Sequence, residues 1–283
     1  MTKEHRKRLL FGLFLSSGIG LLAYKRRSLS RGGVAGATIT GTATVGAGGW
    51  PWGFALIFFF VSSTLLSHFR VQDKERTAAD KFSKGSQRDL AQVAANGGVA
   101  TGLALAHGLA RSSTTKELLH AGYLGALATA TADTWATELG VLSPHPPRLL
   151  TTGEITTPGT SGGITPLGTA AAASGALSLG LFSLLLSLKQ KGAQYFPFLT
   201  LLSGFAGSMI DSVLGATVQA MYYCSTCQQE TEQPIHRCGT HTRPLRGYSW
   251  CNNDVVNFLA TLCGSLIAAG AYGLSVILAR KER

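Results

Sequence analysis

Ala130-Thr131-Ala132-Asp133-Thr134-Trp135-Ala136-Thr137-Glu138-Leu139-Gly140 closes an apolar run that begins near Leu118, placing two carboxylates in the second half of a helix long enough to cross a membrane. An ionised carboxylate inside a bilayer is expensive and marks a functional site by default. Asp133 and Glu138 are five residues apart, which is about 140° around a helix of 3.6 residues per turn. They therefore share one side loosely: one can reach a metal inside a helix bundle while the other approaches from its rim.

The composition around this helix fits a membrane protein. Of 283 residues, 45% are hydrophobic and only 14% charged, and 35 are glycine, the small residue that lets transmembrane helices pack closely. Apolar runs fall at residues 9–24, 33–49, 51–69, 90–110, 118–139, 166–188, 196–222 and 253–279, most of them near the length of about 20 residues that spans the hydrocarbon. The first follows Lys3, Arg6, Lys7 and Arg8 like a secretory signal, but Tyr24-Lys25-Arg26-Arg27 offers no small-residue cleavage site, so it reads as a retained helix. The fold expected is an all-α polytopic helix bundle of about eight transmembrane helices, one integral membrane domain over residues 1–283, with a small Cys/His loop at 223–251 before the last helix. The net charge of +11 arises from short basic clusters between apolar runs, which set topology and meet lipid headgroups or phosphates. No nucleic-acid module accompanies them, so the expected surroundings are the lipid bilayer and no nucleic acid.

Eight spans divide the lysines and arginines 14 to 11 between the two faces, too evenly for charge to fix orientation. Polar intramembrane residues are more decisive. Asn96 opens the fourth span, Asp133 and Glu138 close the fifth, Asp211 lies past the middle of the seventh, and Asn252, Asn253, Asp254 and Asn257 open the eighth. All approach the same face, as a site opening to a single compartment requires.

Several constellations near that face carry chemistry. Between residues 70 and 89, six basic and four acidic side chains read either as a solvated helix with i,i+4 pairs or as a phosphate-holding mouth in which Lys81, Lys84 and Arg88 precede Asn96-Gly97-Gly98. Gly159-Thr160-Ser161-Gly162-Gly163 is a small polar loop whose bare amides can approach a phosphate. It also matches the G-x-S-x-G nucleophile pattern, but that pattern needs a strand, turn and helix and a histidine facing Ser161, and His107 is placed towards the other face. Ile210-Asp211-Ser212 echoes Ala132-Asp133-Thr134. Asp133 and Asp211 can thus share magnesium, a hard cation held by one or two carboxylates plus substrate phosphates, or each can hydrogen-bond a neighbouring hydroxyl. Cys224-Ser-Thr-Cys227 and Cys238-Gly-Thr-His241 have the spacing of zinc knuckles, with Cys224, Cys227, Cys238 and His241 as the expected structural zinc ligands. His236 or Cys251 in place of His241, a disulfide, or free thiols stay open.

The five signatures in this order, N-G-G, A-T-A-D-T-W-A-T-E-L-G, G-T-S-G-G, D-S-x-L-G-A and N-N-D-x-x-N, resemble the phytyl-phosphate kinase family, integral membrane proteins that include the eukaryotic transmembrane protein nineteen. The likeness runs from about Ser62 to the end of the chain. It implies nucleotide-dependent transfer of a phosphoryl group to an isoprenyl monophosphate, with CTP as donor. In this reading Asp133, Asp211, Glu138 and Asp254 surround magnesium. Asn96 and Asn257 orient oxygens, and Lys81, Lys84, Arg88 and the Gly159–Gly163 amides hold phosphates. The chain has no P-loop and no protein-kinase signature, so any kinase site must be built from helices. A multi-pass protein of a bacterial-type cytoplasmic membrane, its active face cytoplasmic, is expected. Two other readings fit the same residues: an ion- or proton-coupled transporter with intramembrane acids, and a CTP-dependent cytidylyltransferase acting on a lipid phosphate.

Overall fold

The helix carrying Asp133 is the axis of the molecule. In the computed structural model, which describes residues 3–78, 87–190 and 192–281, it runs over Ser113–Gly140. Its 28 residues make it about 42 Å long at 1.5 Å per residue. Every residue from His120 to Ala132 is buried. Such a segment has protein on all sides, and its composition of Ala, Gly and Thr lets neighbours approach closely enough to surround it.

Preceding it along the chain are α1 (Lys3–Lys25), α2 (Arg31–Gly48), α3 (Trp50–His68), the short α4 (Val71–Ala78) and α5 (Leu90–Leu109), so the axial helix is α6. After it come α7 (Pro166–Leu186), a 3-10 turn at Ala193–Tyr195, α8 (Phe196–Thr217) and α9 (Asn253–Lys281). Local signals start these helices where hydrogen-bonding side chains or prolines supply the missing partners. Asp89 and Gln92 form a reciprocal capping box on α5, Ser30 caps α2, Ser112 caps α6, and Thr165 caps α7 just before Pro166. Helices α3, α5, α7, α8 and α9 pack directly on α6, while α1 and α2 form a hairpin whose second helix rests on α5 and α3.

Thr129 shows how the packing works. Its hydroxyl bonds Gly125 O at 3.0 Å and Ser203 O at 3.3 Å. A Cβ at Gly207 of α8 would lie 2.2 Å from that hydroxyl oxygen, and one at Gly264 of α9 1.9 Å from it. Gly125 itself faces Gly264 and Ala268, and Gly204 faces Ala128. Backbones therefore touch across α6, α8 and α9, the small-residue contact that substitutes for hydrophobic driving force in lipid. The outer surface is the reverse: Phe14, Leu65, Leu185, Phe198, Leu266 and Leu274 are all exposed.

One expectation needs correcting, and the span count is met in part. The chain is not all-α, because two small antiparallel sheets lie between helices. Arg148–Leu149 (β1) pairs with Gly163–Ile164 (β2), and a three-stranded sheet sets Met221–Cys224 (β3) between Gln229–Thr231 (β4) and Arg243–Arg246 (β5). Proline-rich and knuckle-spaced stretches are short of apolar periodicity, so their strands leave little trace. Of the long helices, five among the described residues are also apolar enough to cross a membrane by length and composition: α1, α3, α7, α8 with its preceding turn, and α9. Helices α2, α5 and α6 are long but rich in Gly, Ala and Thr.

Close packing at α6 predicts that Gly207→Ala or Gly264→Ala, each forcing a methyl into Thr129, destabilises the detergent-solubilised protein by about 1–3 kcal/mol. Gly270→Ala, with nothing within 4 Å of the added carbon, should leave the thermal unfolding midpoint unchanged in the same assay.

Candidate active site

The helix ends that carry polar residues meet at one end of the bundle around a cavity of about 280 Å³. The end of α3 contributes Ser67, the segment entering α5 contributes Arg88, Gln92 and Asn96, and the last turns of α6 contribute Asp133, Thr137 and Glu138. The second half of α8 brings Ser208, Asp211 and Ser212, and the start of α9 brings Asn253 and Asn257. Gly159–Gly163 close the wall from the loop before α7. The residues singled out by sequence thus converge here from four separate helices and a loop, with three exceptions. Asp254 sits on the first turn of α9 off the cavity wall, because the direction that points Asn253 and Asn257 inward turns residue 254 aside. Lys81 and Lys84 lie outside the described residues.

Asp133 and Asp211 line the same cavity from facing helices, and Asp211 Oδ2 is buried with no hydrogen-bond partner among the described residues. A buried carboxylate oxygen with no donor is costly. A hard cation is the partner that such a pair of acids accommodates, with its remaining positions open to phosphate oxygens. The donor set therefore fits magnesium.

Glu138 has a different situation. Ser67 Oγ donates to its Oε1 at 2.6 Å and Lys74 Nζ to its Oε2 at 2.6 Å. The Lys74 side chain is only 7% exposed and also donates to Leu66 O. Both oxygens of Glu138 are thus engaged by protein donors. Its structural role is to neutralise Lys74, and Arg88 lies within its electrostatic reach: burial lowers the Arg88 guanidinium from its ordinary pKa while the Glu138 charge opposes that shift. The sequence reading missed Lys74 and Ser67. Lys74 is one of six basic residues in a mixed-charge stretch, and nothing local distinguishes the buried one from its solvated neighbours.

The backbone of Arg88 is fixed by an unexpected partner. Ser30 N donates to Arg88 O and Arg88 N to Ser28 O, both at 3.0 Å, as between parallel strands. Asp89 then begins the cap of α5, so this cation enters the cavity from a held position.

The Gly159–Gly163 loop is held just as tightly. Gly162 has φ +83°, and a Cβ there would meet Ala216 of α8 at 2.5 Å, so the loop lies directly on the last turn of that helix. Arg246, at the end of β5, donates to Gly215 O at 2.6 Å and Ser161 O at 3.2 Å. Ser161 Oγ donates to Gln219 Oε1 at 2.7 Å, and Gln219 Nε2 donates to Glu232 Oε1 at 2.8 Å. A serine whose hydroxyl proton is committed to an amide oxygen, on a turn outside any strand-turn-helix elbow, is not an activated nucleophile. Gln219, Glu232 and Arg246 carry no motif in the sequence, and only the small sheet brings them to this loop.

In the Cys/His loop, the ligating atoms of Cys224, Cys227, His236 and Cys238 lie within 4.8 Å of one another. His236 thus takes the place expected of His241, which is exposed outside the group. The turn that brings Cys238 back towards Cys224 uses Gly239 at φ +82° and carries His241 past it into pairing with Ile235. Cys251 is buried elsewhere, at the base of the sheet, where its carbonyl accepts from Ala220 N. Hydrogen bonding with Thr240 and His236 holds the Cys238 thiol down to about 6.

Residues 14–265 match the family described as integral membrane protein DUF92. The chain belongs to the DUF92 family. That match takes in every element of the cavity wall. Among its relatives, Protein PGR of Arabidopsis thaliana is 34% identical over 95% of this chain and 98% of its own length. The uncharacterized membrane protein MJ0933 of Methanocaldococcus jannaschii is 31% identical over 96% of this chain and 97% of its own. The uncharacterized membrane protein sll0875 of Synechocystis is 28% identical over 87% and 83%. No solved structure matches.

The Lys74–Glu138 pair gives a stability test. Removing one partner of a buried pair strands the other charge, so Lys74→Ala should cost about 3 kcal/mol in thermal or denaturant unfolding. The double variant Lys74→Met with Glu138→Leu should recover most of that loss.

Proposed function

We propose that this protein is a membrane-embedded isoprenoid-phosphate kinase, transferring a phosphoryl group from a nucleotide, CTP by the resemblance above, to an isoprenyl monophosphate. The observation that carries the reading is the meeting of Asp133 with Asp211, whose Oδ2 has no hydrogen-bond partner among the described residues, in one cavity that also holds Arg88 and the glycine loop. Phosphoryl transfer asks a protein for positioning and charge neutralisation rather than covalent chemistry, and this wall offers both.

In the proposed site Asp133 and Asp211 would hold magnesium, which when bound neutralises developing charge on the transferred group. Thr160 N and Gly163 N donate to Thr157 O and Thr160 O and shape the turn, while Arg88 and the Gly159, Ser161 and Gly162 amides of the loop bind phosphate oxygens. Asn96 and Asn257 orient them by donating side-chain N–H groups. A monophosphate nucleophile is already ionised at neutral pH, so no general base is required of these residues. Glu138 acts through Lys74 and Arg88, keeping both cations in place as a positioning residue. The isoprenyl tail lies among apolar side chains beside the cavity. All eight long helices cross the membrane in this reading, with α2, α5 and α6 shielded by their neighbours, and the cavity faces the cytoplasm, where nucleotides are available. A cation carrier would instead need polar wall reaching both faces.

The test is turnover of purified protein with magnesium, CTP and a panel of isoprenyl monophosphates, products identified by mass. The expected products are CDP and the isoprenyl diphosphate. Asp133→Asn and Asp211→Asn should each lower turnover by about 100-fold or more, the loss of several kcal/mol of charge stabilisation. Release of pyrophosphate with a cytidylylated lipid would identify the cytidylyltransferase instead, and full activity in either variant would refute the carboxylate assignment.

A further inference from the structure

The knuckle hairpin lies outside the phosphoryl-transfer reading, yet its base is built into the cavity wall. β3 ends at Cys224 and turns through Cys227 into β4. A second turn carries His236 and Cys238, closed by His236 N to Thr240 O at 2.9 Å and Gly239 N to His236 O at 2.8 Å. Gln228 at φ +53° and Gly239 at φ +82° give each turn one left-handed residue, and the turns meet where Thr226 Oγ1 lies 3.1 Å from Thr240 Oγ1.

The spacing of the side chains at this junction is that of a coordination shell. Cys224 Sγ and Cys238 Sγ are 3.7 Å apart. A tetrahedron with zinc–sulfur bonds of about 2.3 Å has sulfur–sulfur edges of about 3.8 Å, whereas a disulfide needs about 2.05 Å. His236 Nδ1 is 3.2 Å from Cys238 Sγ, and all five cysteines are free. His236 and Cys224 are buried while Cys238 and Cys227 sit at the surface, so an ion can enter from solvent and be closed off by four protein ligands.

At the other end of the same three strands are the groups that hold the glycine loop. Glu232 directly follows β4 and accepts from Gln219, which fixes Ser161. Arg246 ends β5, opposite Met221 of β3, and binds Ser161 O and Gly215 O. A three-stranded ribbon with strands of three or four residues is marginal by itself. What fixes its tip also fixes its base.

We propose that Cys224, Cys227, His236 and Cys238 bind one zinc ion in a closed tetrahedral site, and that this ion clasps the ribbon so that Arg246 and the Gln219–Glu232 pair hold the Gly159–Gly163 loop in place. Zinc closes the ribbon as structural zinc closes other small folds, by supplying folding free energy that a short sheet lacks.

The test uses the full chain purified in detergent without chelator, and neither readout needs a substrate, so its outcome is independent of the kinase reading. Elemental analysis should find about one zinc per chain. Cobalt exchanged into the site should give thiolate-to-cobalt charge-transfer absorption and the strong visible bands of a tetrahedral ion. Cys238→Ser and His236→Ala should lose the metal, while His241→Ala and Cys251→Ser should keep it. Hydrogen exchange of residues 159–163 should speed up at least about tenfold when zinc is stripped from the wild-type chain. Metal-free protein with a mass two daltons low, marking a disulfide, would overturn the site, as would metal loss in His241→Ala with retention in His236→Ala. Unchanged loop exchange after stripping would overturn the clasp.

Discussion

A helix whose 13 consecutive residues from His120 to Ala132 are buried cannot touch lipid, and in an apolar surrounding its only source of cohesion is close contact with other helices. That constraint dictates Gly, Ala and Thr along α6 and glycines opposite them on α8 and α9. It also determines where chemistry can be placed. A backbone packed on all sides from His120 to Ala132 emerges into the cavity at the next residue, so the Asp133 carboxylate inherits a rigid mount.

Electrostatics then separates the acids that line the cavity. Glu138 has donors on both oxygens and compensates a buried lysine, whereas one oxygen of Asp211 has none among the described residues. A buried ionic pair adds little net stability over apolar packing, but it is costly to break. The Lys74–Glu138 contact therefore reads as registration of α4 against the end of α6, and the open Asp211 oxygen beside Asp133 as capacity for something brought from outside.

Much of this was legible in the chain. The eight apolar runs correspond to the eight long helices among the described residues, with boundaries moved by a few residues at caps such as Ser112 and Ser30 that the run lengths do not register. Asp133, Asp211, Asn96 and Asn257 could be gathered by asking which polar residues sit at the same end of successive helices. What escaped were residues whose meaning depends on tertiary partners. Lys74 looks like any lysine in a mixed-charge stretch, Gln219 and Arg246 belong to no motif, and the strands carrying Cys224 and Arg246 are too short to show an alternating pattern. His241 had the knuckle spacing, but the turn at Gly239 sends its backbone into a pairing with Ile235 and leaves His236 beside the sulfurs.

The two hydrogen bonds between residues 28–30 and Arg88 have a further consequence. They splice the peripheral α1–α2 hairpin in series with the cavity's cation, and Gly33 lies so close to Arg88 O that a side chain there would displace it. Of the two helices, α1 is a candidate membrane span and exposes Phe11, Phe14, Leu21 and Leu22. A shift of this hairpin would therefore act on the same latch that seats the guanidinium, tying the outermost helices to the pocket wall.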